Sequence, residues 1–203
     1  MNPDSSSARR PALRDRQREE VRRALLDAAE AEIAAHGLAG ASIAEVARRA
    51  GVAVGTVYNH VADRDGLVRA LFDDRRGRIV PGLEAAARVR ADSFEAELRG
   101  FVAGVLGVFD DHATFIRIAL ELGRGRDPSG GGANVLAALR AATEQVLGRR
   151  GRGRVLAARH AALHAPILIG ALRAIVIENL DVGGFARHAD AVVDLFLDGA
   201  RRR

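Results

Sequence analysis

Between Ser42 and His60, two short helical segments meet across Ala50-Gly51-Val52-Ala53, and no other feature narrows the possible folds as much. Ser42-Ile43-Ala44-Glu45 reads as a capping box. The Ser42 hydroxyl accepts from the third helical N–H, and Glu45 reaches back to the cap. The first segment runs from this cap to Ala50-Gly51, and the second from Val54 to Val61. Glycine at 51 permits a sharp backbone turn. Two short helices joined in this way have helix-turn-helix geometry, in which the second enters the DNA major groove while the first crosses the backbone. Ala44, Ala47 and Ala50 are small and helix-spaced, which favours close packing, with Ile43, Val46, Val52 and Val57 as the apolar underside.

The remainder also follows helical spacing. Val21, Leu25, Ala29 and Ile33 recur at i+4 in a helix starting near Asp15, and Gly37 is expected to end it as a left-handed cap. Asp63 suits the N-cap of a longer helix through Leu67, Leu71 and Ile79, which Pro81-Gly82 should kink or interrupt. Asp92-Ser93-Phe94-Glu95 is a second capping box, opening a stripe of Phe94, Leu98, Phe101, Val105 and Phe109. Further helices are expected over Thr114 to Leu122, Asn134 to Leu147, and Val155 to Leu180 with a bend at Pro166. Gly183-Gly184 then turns the chain into a last helix carrying Phe185, Ala189, Val192 and Phe196 on one face. Gly123 to Gly132 reads as a flexible linker. No segment alternates with period two over strand length. The expected fold is therefore all-α, with an N-terminal three-helix helix-turn-helix domain and a C-terminal helical bundle. The expected divisions are a disordered arm over residues 1–14, a reader domain over 15–62, and a second domain over 63–203.

Composition removes several functions. The 203-residue chain has no cysteine, which excludes disulfides, thiolate metal sites and cysteine nucleophiles. Residues 1–17 are polar and arginine-rich and do not read as a secretory signal. The most apolar window, Ala161 to Ile177, contains His164, Pro166 and Arg173 and reads as a buried helix, not a membrane span. A cytoplasmic location fits. The net charge is +5, but residues 1–70 hold eleven arginines against ten acidic residues, so overall basicity does not mark a DNA-reading half. Local placement of charge has to mark it instead.

The residues left to face DNA are informative. Thr56, Tyr58, Asn59 and His60 lie in the second segment, behind Val54 and Gly55 at its start. Hydroxyls and an imidazole at a groove edge suit phosphate contacts, and Thr56 also suits a base contact. Ser42 suits a phosphate through its hydroxyl and the neighbouring N–H groups, and Arg64 can reach the backbone as a charge. The alternative is a helical binding protein or enzyme in which the helix pair is only scaffold.

Over residues 17–76 the chain resembles the N-terminal domain of the tetracycline-repressor (TetR) family of regulators. The resemblance rests on Ser42-Ile43-Ala44-Glu45-Val46-Ala47, then Ala50-Gly51-Val52-Ala53-Val54-Gly55-Thr56-Val57-Tyr58-Asn59-His60-Val61, then Arg64-Asp65-Gly66-Leu67. It implies an α-helical homodimer with a DNA reader domain and a C-terminal domain for ligand binding and dimerisation, the last two long helices forming the interface. It also implies DNA contacts at Thr56, Tyr58, His60 and Arg64. Three positions depart from the family pattern. Val54 stands where serine or threonine is usual, which removes a helix cap. Val61 replaces an aromatic residue, and Gly66 replaces a larger residue and weakens the next helix. The expected partners are a double-stranded DNA operator, a small-molecule effector and a second copy of the chain, with no membrane.

In the C-terminal half, His112, Arg117, Glu121 and Arg173 fall on otherwise apolar helices, near Phe101 and Phe109 of the aromatic stripe. They suit polar groups of an effector pocket, internal ion pairs, or a dimer seam. His160 and His164 stand at i and i+4, a spacing able to hold a metal, but no third ligand is assignable, so they read as core or pocket histidines. The lining suggests an apolar, weakly acidic effector. No cofactor is expected. The chain shows no Gly-x-Ser-x-Gly elbow, no His-Glu-x-x-His pair and no phosphate loop, so it is not expected to be an enzyme.

Overall fold

The computed structural model describes residues 9–122, 132–149, 156 and 160–200. Among them there is no strand. The chain divides into two compact units, Met1–Asp73 and Asp74–Arg203. The boundary lies within a helix, whereas the sequence reading ends the reader domain at residue 62.

In the first unit, α1 spans Arg9–Gly40. Residues 9–14, expected in the disordered arm, are therefore helical, and the rest of that arm lies outside the described residues. Gly37 has the expected positive φ, 69°, but with ψ 169° the chain kinks there instead of stopping. Next come α2 (Ile43–Arg49), α3 (Val54–Tyr58) and α4 (Arg64–Arg88). The core consists of Leu25, Leu26, Ala29 and Ile33 of α1, Val46 and Ala47 of α2, Val57 of α3, and Leu67, Val68 and Leu71 of α4. Burying each large side chain contributes about 1.5–3 kcal/mol, which holds together helices too short to persist alone. One buried charge ties two of them. Glu32 of α1 is only 2% exposed and accepts from Arg49 of α2 at 3.2 Å, with His36 Nδ1 at 3.0 Å.

The second unit takes the rest of α4, then α5 (Phe94–Asp111), α6 (Ala113–Leu122), α7 (Gly132–Leu147), α8 (Ala161–Glu178), a 3-10 turn (Phe185–His188) and α9 (Ala189–Ala200). The expected linker over residues 123–132 lies almost wholly outside the described residues. So does the expected helix start over residues 155–159, apart from Leu156. Pro81-Gly82 does not interrupt α4. The proline removes one backbone donor, but Ile79 and Leu83 on either side are fully buried and hold the helix in place. Gly82 is a packing residue. A Cβ there would meet Val108 of α5 at 2.8 Å, as one on Gly104 would meet Ala86 at 2.9 Å and one on Gly100 would meet Val89 at 2.8 Å. This seam lets α4 and α5 approach closely.

Polar groups close the remaining ends. Ser93, not Asp92, is the N-cap of α5, accepting from Ala96 N–H at 3.1 Å. Arg149, beyond α7, donates to the carbonyls of Ala87 and Val89 at the end of α4 and to Glu97 at 2.8 Å. Asp110 accepts from the N–H groups of Phe185 (2.7 Å) and Ala186 (2.9 Å), capping the 3-10 turn that Gly183 and Gly184 enter with φ 65° and 69°. Arg99 of α5 bonds Asp190 and Asp194 of α9 as well as its own Glu95. The predicted face of the last helix is formed, with Phe185, Ala189, Val192 and Phe196 all buried.

Candidate nucleic-acid interface

The turn between α2 and α3 follows from local chemistry. Ser42 is the N-cap of α2, and its hydroxyl accepts from Glu45 N–H at 3.1 Å. The reciprocal half of the box is replaced. Glu45 accepts instead from Arg48 Nε at 2.7 Å, and this bond holds its carboxyl below the usual carboxylate range. Gly51 sits at φ 70°, and Val52 N–H returns to Ala47 O at 3.0 Å. That conformation favours glycine, which carries no Cβ to clash. Of the expected underside, Val46 and Val57 are buried and Ile43 and Val52 half-buried. Among the small residues only Ala47 packs fully, Ala44 being exposed.

With Val57 fully buried, the helix phase decides what points outward. Val54 and Tyr58, which flank it, are 42% and 54% exposed. Gly55 and Asn59 are exposed as well, and Thr56 is half-buried. A tyrosine this open contributes little to the core, so its ring and hydroxyl are available to a partner. The helix is shorter than the sequence suggests. It ends at Tyr58, Asn59 is its C-cap, and His60 follows in the turn, its N–H returning to Val57 O at 2.9 Å. The missing cap is also relocated. The N-cap position is Ala53, not Val54, and Ala53 offers no side-chain hydrogen bond.

His60 is half-buried, and burial first, then Arg18 and Arg22, press its proton affinity below the ordinary 6.5. That shift favours its neutral, hydrogen-bonding form. Both arginines belong to α1, far upstream in the chain, and carry no signal in a motif confined to Ser42–Leu67. The Arg64 side chain is half-buried in a cleft with Ser42, Ile33 and Val68, and Nη2 is buried without a hydrogen-bond partner. Asp63 caps α4 as expected, accepting from Gly66 N–H at 2.6 Å.

The candidate effector residues differ in burial. Phe101 and Phe109 are buried in the core beneath α5. His112 and Arg117 are half-buried, while Glu121, His160 and Arg173 are exposed. His164 is 7% exposed and meets the Phe196 ring edge-on, centroids 6.2 Å apart. Its Nε2 is buried without a partner, and burial lowers its proton affinity. No group of three potential ligands surrounds the His160–His164 pair among the described residues.

Short paired helices and a glycine turn form a helix-turn-helix, with a tyrosine outward on its second helix. Residues 25–71 match the bacterial regulatory proteins of the tetR family. The chain is 38% identical over 91 residues to the HTH-type transcriptional regulator BetI of Cronobacter sakazakii, covering 44% of each protein. It is also 38% identical over 94 residues to BetI of Burkholderia thailandensis, covering 45% of this chain and 46% of that one. The matches thus span less than half the length of these relatives. Among solved structures, a transcriptional regulator FadR from Bacillus subtilis, in complex with stearoyl-CoA, superposes with TM-score 0.67 at 18% identity, over 88% of this chain and 98% of that one. SmeT, the repressor of the Stenotrophomonas maltophilia multidrug efflux pump SmeDEF, gives 0.67 at 18% identity over 89% and 90%. At such identities the likeness establishes the fold, which is all-α as the sequence reading expects.

Proposed function

We propose that the protein is a ligand-responsive, one-component transcriptional repressor that leaves a palindromic DNA operator when a small molecule binds its C-terminal domain. The observation that carries the DNA half is the outward face of α3, where Tyr58 is 54% exposed directly beside the fully buried Val57. In this reading Val54, Gly55, Thr56, Tyr58 and Asn59 meet the groove, while Ser42, His60 and Arg64 meet phosphates. Residues 15–62 act as the reader, and residues 63–203 bind the effector and dimerise. The protein works in the cytoplasm.

The homodimer is supported by α8. This helix is long and apolar enough to cross a membrane, yet only 33% of it is buried. Leu163, Ile167 and Ile177 are 53%, 56% and 48% exposed, and Leu195 of α9 is 77% exposed. A second copy would cover this face and place two recognition helices roughly 34–36 Å apart, on successive major grooves. The effector reading is supported by the buried, unpartnered Nε2 of His164 amid apolar side chains. It favours an apolar effector with a polar or weakly acidic end, as FadR's complex with an acyl-CoA illustrates for a neighbour of the same fold.

Thr56→Ala and Tyr58→Ala test the reading. Both should abolish sequence-specific binding in electrophoretic shifts while leaving the helical circular-dichroism spectrum and melting temperature unchanged. Unaltered DNA binding, or a footprint without a palindrome, would refute it.

A further inference from the structure

The first unit leaves few large apolar or aromatic side chains in the open. Among its described residues, those exposed to solvent are Val54, at 42%, and Tyr58, at 54%. Both belong to α3, where a spacing of four residues puts them on one face. Val57 is fully buried, which fixes the phase of the helix and turns that face outward. An exposed valine contributes little to a core, and valine ranks low as a helix former. Neither packing nor helix propensity therefore accounts for Val54 at the first position of α3.

The residues on either side of Val54 are bare. Ala53, the N-cap, is exposed and makes no side-chain hydrogen bond. Gly55 is exposed, and a Cβ there would meet nothing within 4 Å. Its φ is not positive, so neither turn geometry nor packing within the chain requires glycine. Glycine inside a helix is less stable than alanine, and here it leaves the backbone uncovered beside Val54. Residues 53–55 thus present methyl groups and main chain, with no side-chain donor or acceptor. In the major groove, base pairs differ in their hydrogen-bonding groups and in one apolar group, the C5-methyl of thymine. An apolar side chain can read only the methyl.

We infer that Val54 reads thymine, its isopropyl group seated against a C5-methyl, while the uncovered backbone at Gly55 lets the groove edge come close. The inference rests on the DNA-reading proposal and deepens it, because it names the base that one position of the operator carries. Thr56, Tyr58 and Asn59, which follow along the chain, have hydrogen-bonding groups and do not share this role.

The test uses the full-length protein and a duplex selected from a random-sequence library. Each thymine is replaced in turn by deoxyuridine, which removes the methyl and keeps every hydrogen-bonding group. In wild type, replacement at one position, and at its mate where the duplex is palindromic, should weaken binding about fourfold, the effect of burying one such group. Val54→Ala should bind the selected duplex more weakly and lose the difference between thymine and deoxyuridine at that position. Its affinity for calf-thymus DNA, the non-specific probe, should stay as in wild type. Gly55→Ala should raise the melting temperature yet weaken operator binding, a split that a merely structural role would not produce. Thermal melts establish that both variants fold. Equal affinity of wild type for every deoxyuridine duplex would overturn the inference while leaving the DNA reading intact. A Val54→Ala variant that discriminates as wild type does would overturn it too. Gly55→Ala binding as tightly as wild type would overturn the close approach at the backbone. Failure of the wild-type protein to select any duplex would bring down the DNA reading itself, and the inference with it.

Discussion

Arg49 of α2 donates to Glu32 of α1 at 3.2 Å, and only the carboxylate end of this pair is buried. The asymmetry determines how each partner responds to mutation. Glu32→Ala leaves Arg49 able to turn to solvent, but empties a buried site and frees α2 from α1. It should cost about 1–3 kcal/mol in chemical denaturation. Arg49→Ala leaves a buried carboxylate with only His36 for company, and should cost at least as much. Because α2 supports the recognition helix, both variants should also weaken operator binding. A wild-type denaturation midpoint for Arg49→Ala would contradict this account.

The α4–α5 seam predicts opposite signs for two identical changes in α5. In an open helical position, alanine is favoured over glycine by roughly 0.5–1 kcal/mol. Gly107→Ala, where a Cβ meets nothing within 4 Å, should stabilise by that amount. Gly104→Ala, where the Cβ would sit 2.9 Å from that of Ala86, should destabilise by about 1–3 kcal/mol through overpacking. Two melting curves, run side by side, decide the matter.

His164 gives a pH dependence with a definite sign. Burial lowers its proton affinity in the folded chain relative to the ordinary 6.5, with His160 a smaller contributor. The unfolded chain therefore binds the proton first, and stability falls as pH drops through about 6.5 toward the lower folded value. His60 works in the same direction. His164→Phe should flatten the decline of the unfolding midpoint between pH 7 and pH 5. A steeper decline in His164→Phe would show the sign to be wrong.

Arg64 gives the proposed DNA binding a sharper test. Its Nη2 is buried without a partner beside Ser42, so a phosphate reaching that cleft would satisfy a donor already out of water. Arg64→Ala should weaken specific and non-specific binding alike and flatten the salt dependence by about one phosphate. Loss of preference at a single base pair would instead assign Arg64 to base reading.

Which parts of this structure could be read from the sequence follows from the range of the forces involved. Caps and turns are local, so Ser42, Gly51, Asp63 and the Gly183-Gly184 pair stand where the residues alone place them. Apolar spacing is equally local, and it predicts the buried faces of α1, α5 and α9. Pro81 is the instructive exception. Its local effect is to break a helix, and burial of Ile79 and Leu83 overrides it. The Asp92 cap is off by one residue, as an Asp-Ser pair leaves two good candidates. Contacts between distant residues carry no sequence signal. The link from Arg149 to the end of α4 and the Asp110 cap on the 3-10 turn belong to this kind. The burial of the Arg64 Nη2 does as well.

Arg99 reaches Asp190 across 91 residues of chain. Asp110 and Phe185, which lie 75 residues apart, add a second bond of the same long span. On a ribosome, α5 must therefore wait for α9 with its apolar face unanswered, through several seconds of synthesis at about 5–20 residues per second. The second unit cannot complete itself piecemeal as it emerges, and a nascent chain paused before the last helix presents the kind of surface that chaperones hold.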